Sequence, residues 1–119
     1  MSDYKPLDKS TLEELQELLK RCPAGTFEAL LLYRENGDLE ALSTFLMGCI
    51  KRHTDDEYHD CFEGNRDQIS FVDDLGIDSM TMMEIVMMVE ECLEIRVDNQ
   101  DLMNVRTYGD LNAYIKKIV

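Results

Sequence analysis

Residues 79–94 read SMTMMEIVMMVEECLE, and their apolar side chains recur with a helical period. Ile85, Val86, Val89 and Leu93 share one face, and Met80, Met83 and Met87 form a neighbouring stripe. The same period returns in Leu39, Leu42, Phe45, Leu46, Cys49 and Ile50. It appears again in Leu12, Leu15 and Leu19, in Phe27, Leu30 and Leu31, and in Tyr108, Leu111, Ile115 and Ile118. No stretch reads convincingly as a strand. Six glycines and two prolines in 119 residues leave too few turn formers for a sandwich or barrel. The chain is therefore expected to be all-α, one small domain's worth of helices with a modest core.

Cap residues set the expected boundaries. Ser10 caps the first helix, with Glu13 completing an S-x-x-E box, and Pro23 in RCPAG prevents its continuation. A second helix spans about 26–34 and stops at Gly37. Asp38 caps a third, 39–53. Residues 54–70 are polar and lack a period. They read as a long loop with at most a short helical turn, anchored by Phe62, Ile69, Phe71 and Leu75. Asp78 or Ser79 opens the helix that ends near 94. A helical turn is expected near 98–103. Thr107 and Asp110 form a second capping box, and Lys116 and Lys117 suit the C-terminal end of the last helix.

The net charge is −13 and is unevenly placed. Residues 54–101 hold fifteen carboxylates against Arg66 and Arg96, while the rest of the chain is balanced. Such a surface repels nucleic acid and anionic lipid and suits basic protein partners. The four cysteines, Cys22, Cys49, Cys61 and Cys92, form no C-x-x-C pair. The start MSDYKPLDKS has no apolar leader core, and no apolar run is long enough to span a bilayer. A cytoplasmic monomer with reduced thiols and no stable membrane insertion is expected. His53, Asp55, Asp56, His59, Asp60 and Cys61 supply metal-type donors, but their spacing fits no standard site, so a solvated loop without metal is expected.

Ser79 lies amid the acids, with only His53 and His59 in the chain and no G-x-S-x-G elbow. A negative field opposes an oxyanion, so Ser79 is not read as a nucleophile and the chain is not read as an enzyme. The opposite role fits better, with Ser79 as the target of a modifying enzyme. Its hydroxyl opens a helix after a loop that Gly76 allows to turn, and Asp78 can take the cap. A phosphate there would meet free backbone N–H groups and the positive end of the helix dipole. In an arbitrary helix the pair would simply be a cap.

The surrounding residues add a second line of inference. The segment DDLGIDSMTMMEIVMMVEE resembles the attachment-site signature of the acyl carrier protein family, Asp-x-Leu-Gly-x-Asp-Ser-Leu followed by an acidic helix. Asp73 or Asp74, Leu75, Gly76, Asp78 and Ser79 match, with Met80 in place of the usual leucine. The resemblance covers roughly 39–119, is most specific over 70–97, and reaches the last helix at RTYGDLNAYI. It implies a four-helix carrier bundle over 38–119, with a long loop between its first two helices. Residues 1–37 are then an extension, one or two extra helices packed on that domain.

The resemblance further implies that Ser79 carries 4′-phosphopantetheine, taken from coenzyme A by a phosphopantetheinyl transferase, beside Asp78 and Gly76. Acyl groups would be held as thioesters for enzymes of fatty-acid or polyketide type. Met80, Met83, Glu84, Met87, Glu90 and Glu91 would meet the basic surfaces of those enzymes. Phe71, Leu75, Ile85, Val89 and Leu93 would line an acyl pocket. Two positions depart from the family pattern: Thr81 and Cys92 stand where acids are common. The alternatives are an acidic helical adaptor without a prosthetic group, or a carrier of aminoacyl cargo.

Overall fold

The computed structural model describes residues 7–119, apart from the side chains of Asp56, His59 and Cys61. It contains α1 (Lys9–Leu18), α2 (Thr26–Asn36), α3 (Leu39–Arg52), α4 (Ser79–Leu93), α5 (Asn99–Leu102) and α6 (Tyr108–Ile118). The fold is all-α. Among the described residues, extended pairing is limited to one isolated antiparallel bridge between Ser70 and Thr107.

The third helix is the axis of the bundle. All residues of α3 from 45 to 50 are buried, which requires neighbours on every side. α2, α4 and α6 supply them. Phe45, Leu46 and Ile50 pack with Leu30 of α2, Ile85, Val89 and Leu93 of α4, and Leu111 and Ile115 of α6 in one core. Leu15 and Leu19 join the same core. Tyr108 ties α6 to α3 by donating its hydroxyl proton to the Ser43 carbonyl at 2.9 Å.

Gly48 explains the close approach of α2. A Cβ there would lie 2.1 Å from Thr26 Oγ1, so only glycine fits without movement.

Most helix ends follow their caps. Asp38 accepts from the N–H groups of Glu40 and Ala41, and Gly37 ends α2 in the left-handed conformation at φ 70°. Thr107 and Asp110 form the reciprocal box. The first cap differs from expectation. Asp8, not Ser10, accepts the Thr11 N–H at 2.8 Å, so the helix begins at Lys9 and Ser10 lies within its first turn. A carboxylate that precedes the serine and caps equally well sets the earlier start. One inward face is also rotated, and one residue of the α3 stripe lies outside the core. α2 buries Thr26, Ala29, Leu30 and Tyr33, leaving Phe27 and Leu31 half-buried, and Leu39 at the start of α3 is exposed.

The long connection is more ordered than its polarity suggests. Two 3-10 segments, Asp56–Phe62 and Arg66–Gln68, lie within it. Phe62, Ile69, Phe71 and Leu75 are buried. The Phe71 N–H donates to the Arg106 carbonyl at 3.0 Å, and the Tyr108 N–H to the Ile69 carbonyl at 2.9 Å. The loop is thereby laced to the α5–α6 connection, which fixes how the chain enters α4.

Candidate functional site

The turn before α4 is built around Ser70. The Asp73 N–H donates to Ser70 Oγ, the Asp74 and Leu75 N–H groups to the Ser70 carbonyl, and the Ser70 N–H to Asp74 Oδ2 at 2.7 Å. Phe71, Leu75 and Ile77 are buried and pin the turn to the core. Gly76, at φ 64°, reverses the chain between the last two anchors. A side chain would be strained there. The Ile77 N–H then closes on the Phe71 carbonyl at 2.8 Å.

This geometry delivers Asp78 to the cap position with extended backbone. Its Oδ1 accepts the Thr81 N–H at 2.8 Å. That bond is the main reason the Asp78 carboxyl titrates below its ordinary value of 3.8. Because Asp78 takes the cap, the Ser79 side chain is not needed for it. Ser79 is the first residue of a fifteen-residue helix and is exposed. A hydroxyl so placed is open to a modifying enzyme, and an esterified phosphate would sit at the positive end of α4.

The two faces of α4 divide as the period predicted. Ile85, Val86, Val89 and Leu93 are buried. Met80, Met83 and Met87 are 73%, 43% and 54% exposed, a flexible apolar stripe beginning beside Ser79. Glu84 and Glu91 are exposed, with Glu84 3.9 Å from His53 Nε2. Glu90 is half-buried, and its Oε2 accepts the Val97 N–H at 2.9 Å.

Phe71, Leu75, Ile85, Val89 and Leu93 all lie in the core. A cleft of about 750 Å³ adjoins Ser79, and of those five only Phe71 lines it. Its other apolar walls include Ile77, Met82, Leu102, Met103 and Val105. The last three belong to a segment that reads in sequence as mostly connection. Their signal was the apolar pair Leu102–Met103 following the Asp98 cap, a short amphipathic turn. Among the described residues no acid, histidine and cysteine cluster suits a metal. No helix among them is long and apolar enough to cross a membrane.

Residues 63–115 match the family model described as a phosphopantetheine attachment site. An acyl carrier protein of Rhodococcus erythropolis is 49% identical over 49 residues, covering 41% of this chain and 54% of its own. A meromycolate extension acyl carrier protein of Mycolicibacterium aurum is 47% identical over 49 residues, covering 41% and 50%. An acyl carrier protein of Kineococcus radiotolerans is 50% identical over 48 residues, covering 40% and 59%. The chain thus spans about half the length of the curated relatives it matches. No solved structure matches it.

The helical fold and the matched segment define a domain that holds 4′-phosphopantetheine covalently. Over that segment the chain is similar to acyl carrier proteins.

Proposed function

We propose that Ser79 is the attachment residue and that the protein carries acyl groups for enzymes of fatty-acid or polyketide type. The observation that carries this reading is the division of labour at the start of α4. Asp78 caps the helix and Ser79 is left exposed at its first position. The arm's terminal thiol supplies the chemistry, holding cargo as a thioester. The chain's own residues present and guard. Gly76 and the buried anchors Phe71, Leu75 and Ile77 hold the turn, so Ser79 is fixed at the first position of α4.

Met80, Met83, Glu84, Met87 and Glu91 form the face for the phosphopantetheinyl transferase and for the basic surfaces of acyl-handling enzymes. Charge speeds encounter without making the complex tight, which suits a carrier that must release. Glu90 belongs to this face less than its neighbours, because it is already engaged by the Val97 N–H. Phe71, Leu75, Ile85, Val89 and Leu93 form the core that would shelter a chain, with the cleft beside Ser79 as its approach. The names of the relatives favour a fatty-acyl over an aminoacyl cargo. We assign residues 38–119 to the carrier domain and 1–37 to an extension packed on it, in a cytoplasmic monomer that catalyses nothing itself.

Incubation with coenzyme A and a broad-specificity phosphopantetheinyl transferase tests the reading. A gain in intact mass of one arm supports it. An unchanged mass favours an adaptor without a prosthetic group.

A further inference from the structure

The cleft beside Ser79 has a single cation in its wall. Its charged residues are Asp73, Asp78 and Arg106, and the rest are neutral. The two bases of the acidic stretch 54–101 lie outside it. Arg66 donates its Nε proton to the Phe62 carbonyl at 2.9 Å. Arg96 follows the far end of α4, a fifteen-residue helix about 22 Å long that begins at Ser79.

Main-chain contacts hold Arg106 against the turn that leads into α4. Its N–H donates to Asp110 Oδ2 at 3.0 Å, beside the capping box of α6. Its carbonyl accepts the Phe71 N–H at 3.0 Å, and the Phe71 carbonyl in turn accepts the Ile77 N–H at 2.8 Å. Two hydrogen bonds therefore connect Arg106 to the residue two places before Ser79. None of them uses the Arg106 side chain, which is exposed and makes no ion pair among the described residues.

Without that side chain, an anion on Ser79 would be poorly matched. Asp73 and Asp78 repel it, and the Asp78 carboxylate already takes the Thr81 N–H. The other N–H groups at the start of α4 offer only partial charge. A guanidinium adds a full charge and a fork that fits two phosphate oxygens.

Resting on the reading of Ser79 as the attachment residue, we propose that Arg106 pairs with the phosphodiester there and holds the arm over the cleft. Arg106 is a positioning residue and takes no part in chemistry at the thiol. It offsets the negative charge that attachment adds to an acidic surface. It also draws the start of the arm from α4 toward the α5–α6 connection, whose Met103 and Val105 line the opposite wall. The pair is exposed and therefore weakens with salt.

Holo protein is prepared from coenzyme A with a broad-specificity phosphopantetheinyl transferase, and intact mass establishes loading of wild type, Arg106→Lys and Arg106→Gln. The phosphorus NMR resonance of the arm is recorded for each, folded and in urea. The folded wild-type resonance is expected to lie apart from its position in urea. Arg106→Gln moves it toward that position, and Arg106→Lys restores part of the displacement. Raised salt moves the wild-type resonance the same way and leaves Arg106→Gln unchanged. A second measurement needs no variant: in nitrogen-15-labelled wild type, loading shifts the Arg106 Nε–H resonance. Coincident phosphorus resonances in loaded, folded wild type and Arg106→Gln overturn the proposal. So does an Arg106 Nε–H resonance that loading leaves unmoved. A wild type that gains no mass overturns the attachment reading itself, and this proposal falls with it.

Discussion

Arg34 of α2 and Glu94, sixty positions later, meet at 2.8 Å. The Arg34 side chain is 2% exposed and that of Glu94 is 25%. Glu94 is also the residue that ends α4, in the left-handed conformation at φ 53°. One ion pair thus joins the second helix to the end of the helix that begins with Ser79.

Breaking that pair from one side is costly because the guanidinium stays buried. Glu94→Gln is expected to lower stability by about 2 kcal/mol, below the range for fully buried pairs because the carboxylate is partly solvated. Arg34→Met combined with Glu94→Gln should recover part of that loss. Urea denaturation of the three variants checks this, and additive losses would contradict it.

Gly48→Ala places a methyl into Thr26, whose Oγ1 would be 2.1 Å away. A loss of about 1–3 kcal/mol is expected from this overpacking. Thr26→Ala in the same chain should recover only part of it, since the Thr26 Cβ would still lie 2.9 Å away. Thermal melts of the single and double variants provide the comparison.

The caps give the fold an acid limit. Asp8, Asp78 and Asp110 all titrate below 3.8, each chiefly because its carboxylate accepts a backbone N–H. A folded-state value below the unfolded one contributes stability that is present above 3.8 and lost as pH falls through the lower folded values. The melting temperature should therefore decline at acid pH. Asp78→Ala should lower the neutral-pH melting temperature more than Asp78→Asn, because asparagine still caps. Cys92 sets the opposite limit. Its thiol rises from 9.0 to about 12, so stability should fall as pH rises across that interval.

The acidic face of α4 should act through encounter. Glu84→Lys with Glu91→Lys is expected to lower kcat/KM of phosphopantetheinyl transfer roughly tenfold at low salt. The deficit should shrink as salt is raised toward a short Debye length. Steady-state transfer measured across a salt series tests this, and a salt-independent deficit would contradict it.

The helices were legible because their apolar periods are long and their caps are specific. Asp38, Thr107 with Asp110, and Gly37 each ended or began a helix where the residue type requires it. Ser10 misled because Asp8 competes for the same role two residues earlier. The rotation of α2 was not legible. Its inward face depends on Thr26 meeting Gly48, a contact between positions far apart in sequence. The order in the 54–70 connection was hidden for a similar reason. Its hydrogen bonds run to Arg106 and Tyr108, and polar composition carries no record of them. Around Ser79 the local order Gly-x-Asp-Ser held the cap and the exposed hydroxyl. The cleft depended on Leu102 and Val105, which only the fold brings alongside.

The most direct measurement is to locate the arm by fragmenting the protein after transfer from coenzyme A. The account predicts one phosphopantetheine on Ser79 and none on Ser79→Ala that has kept its helical circular dichroism. An arm on any other residue, or a folded Ser79→Ala that is still loaded, would contradict it.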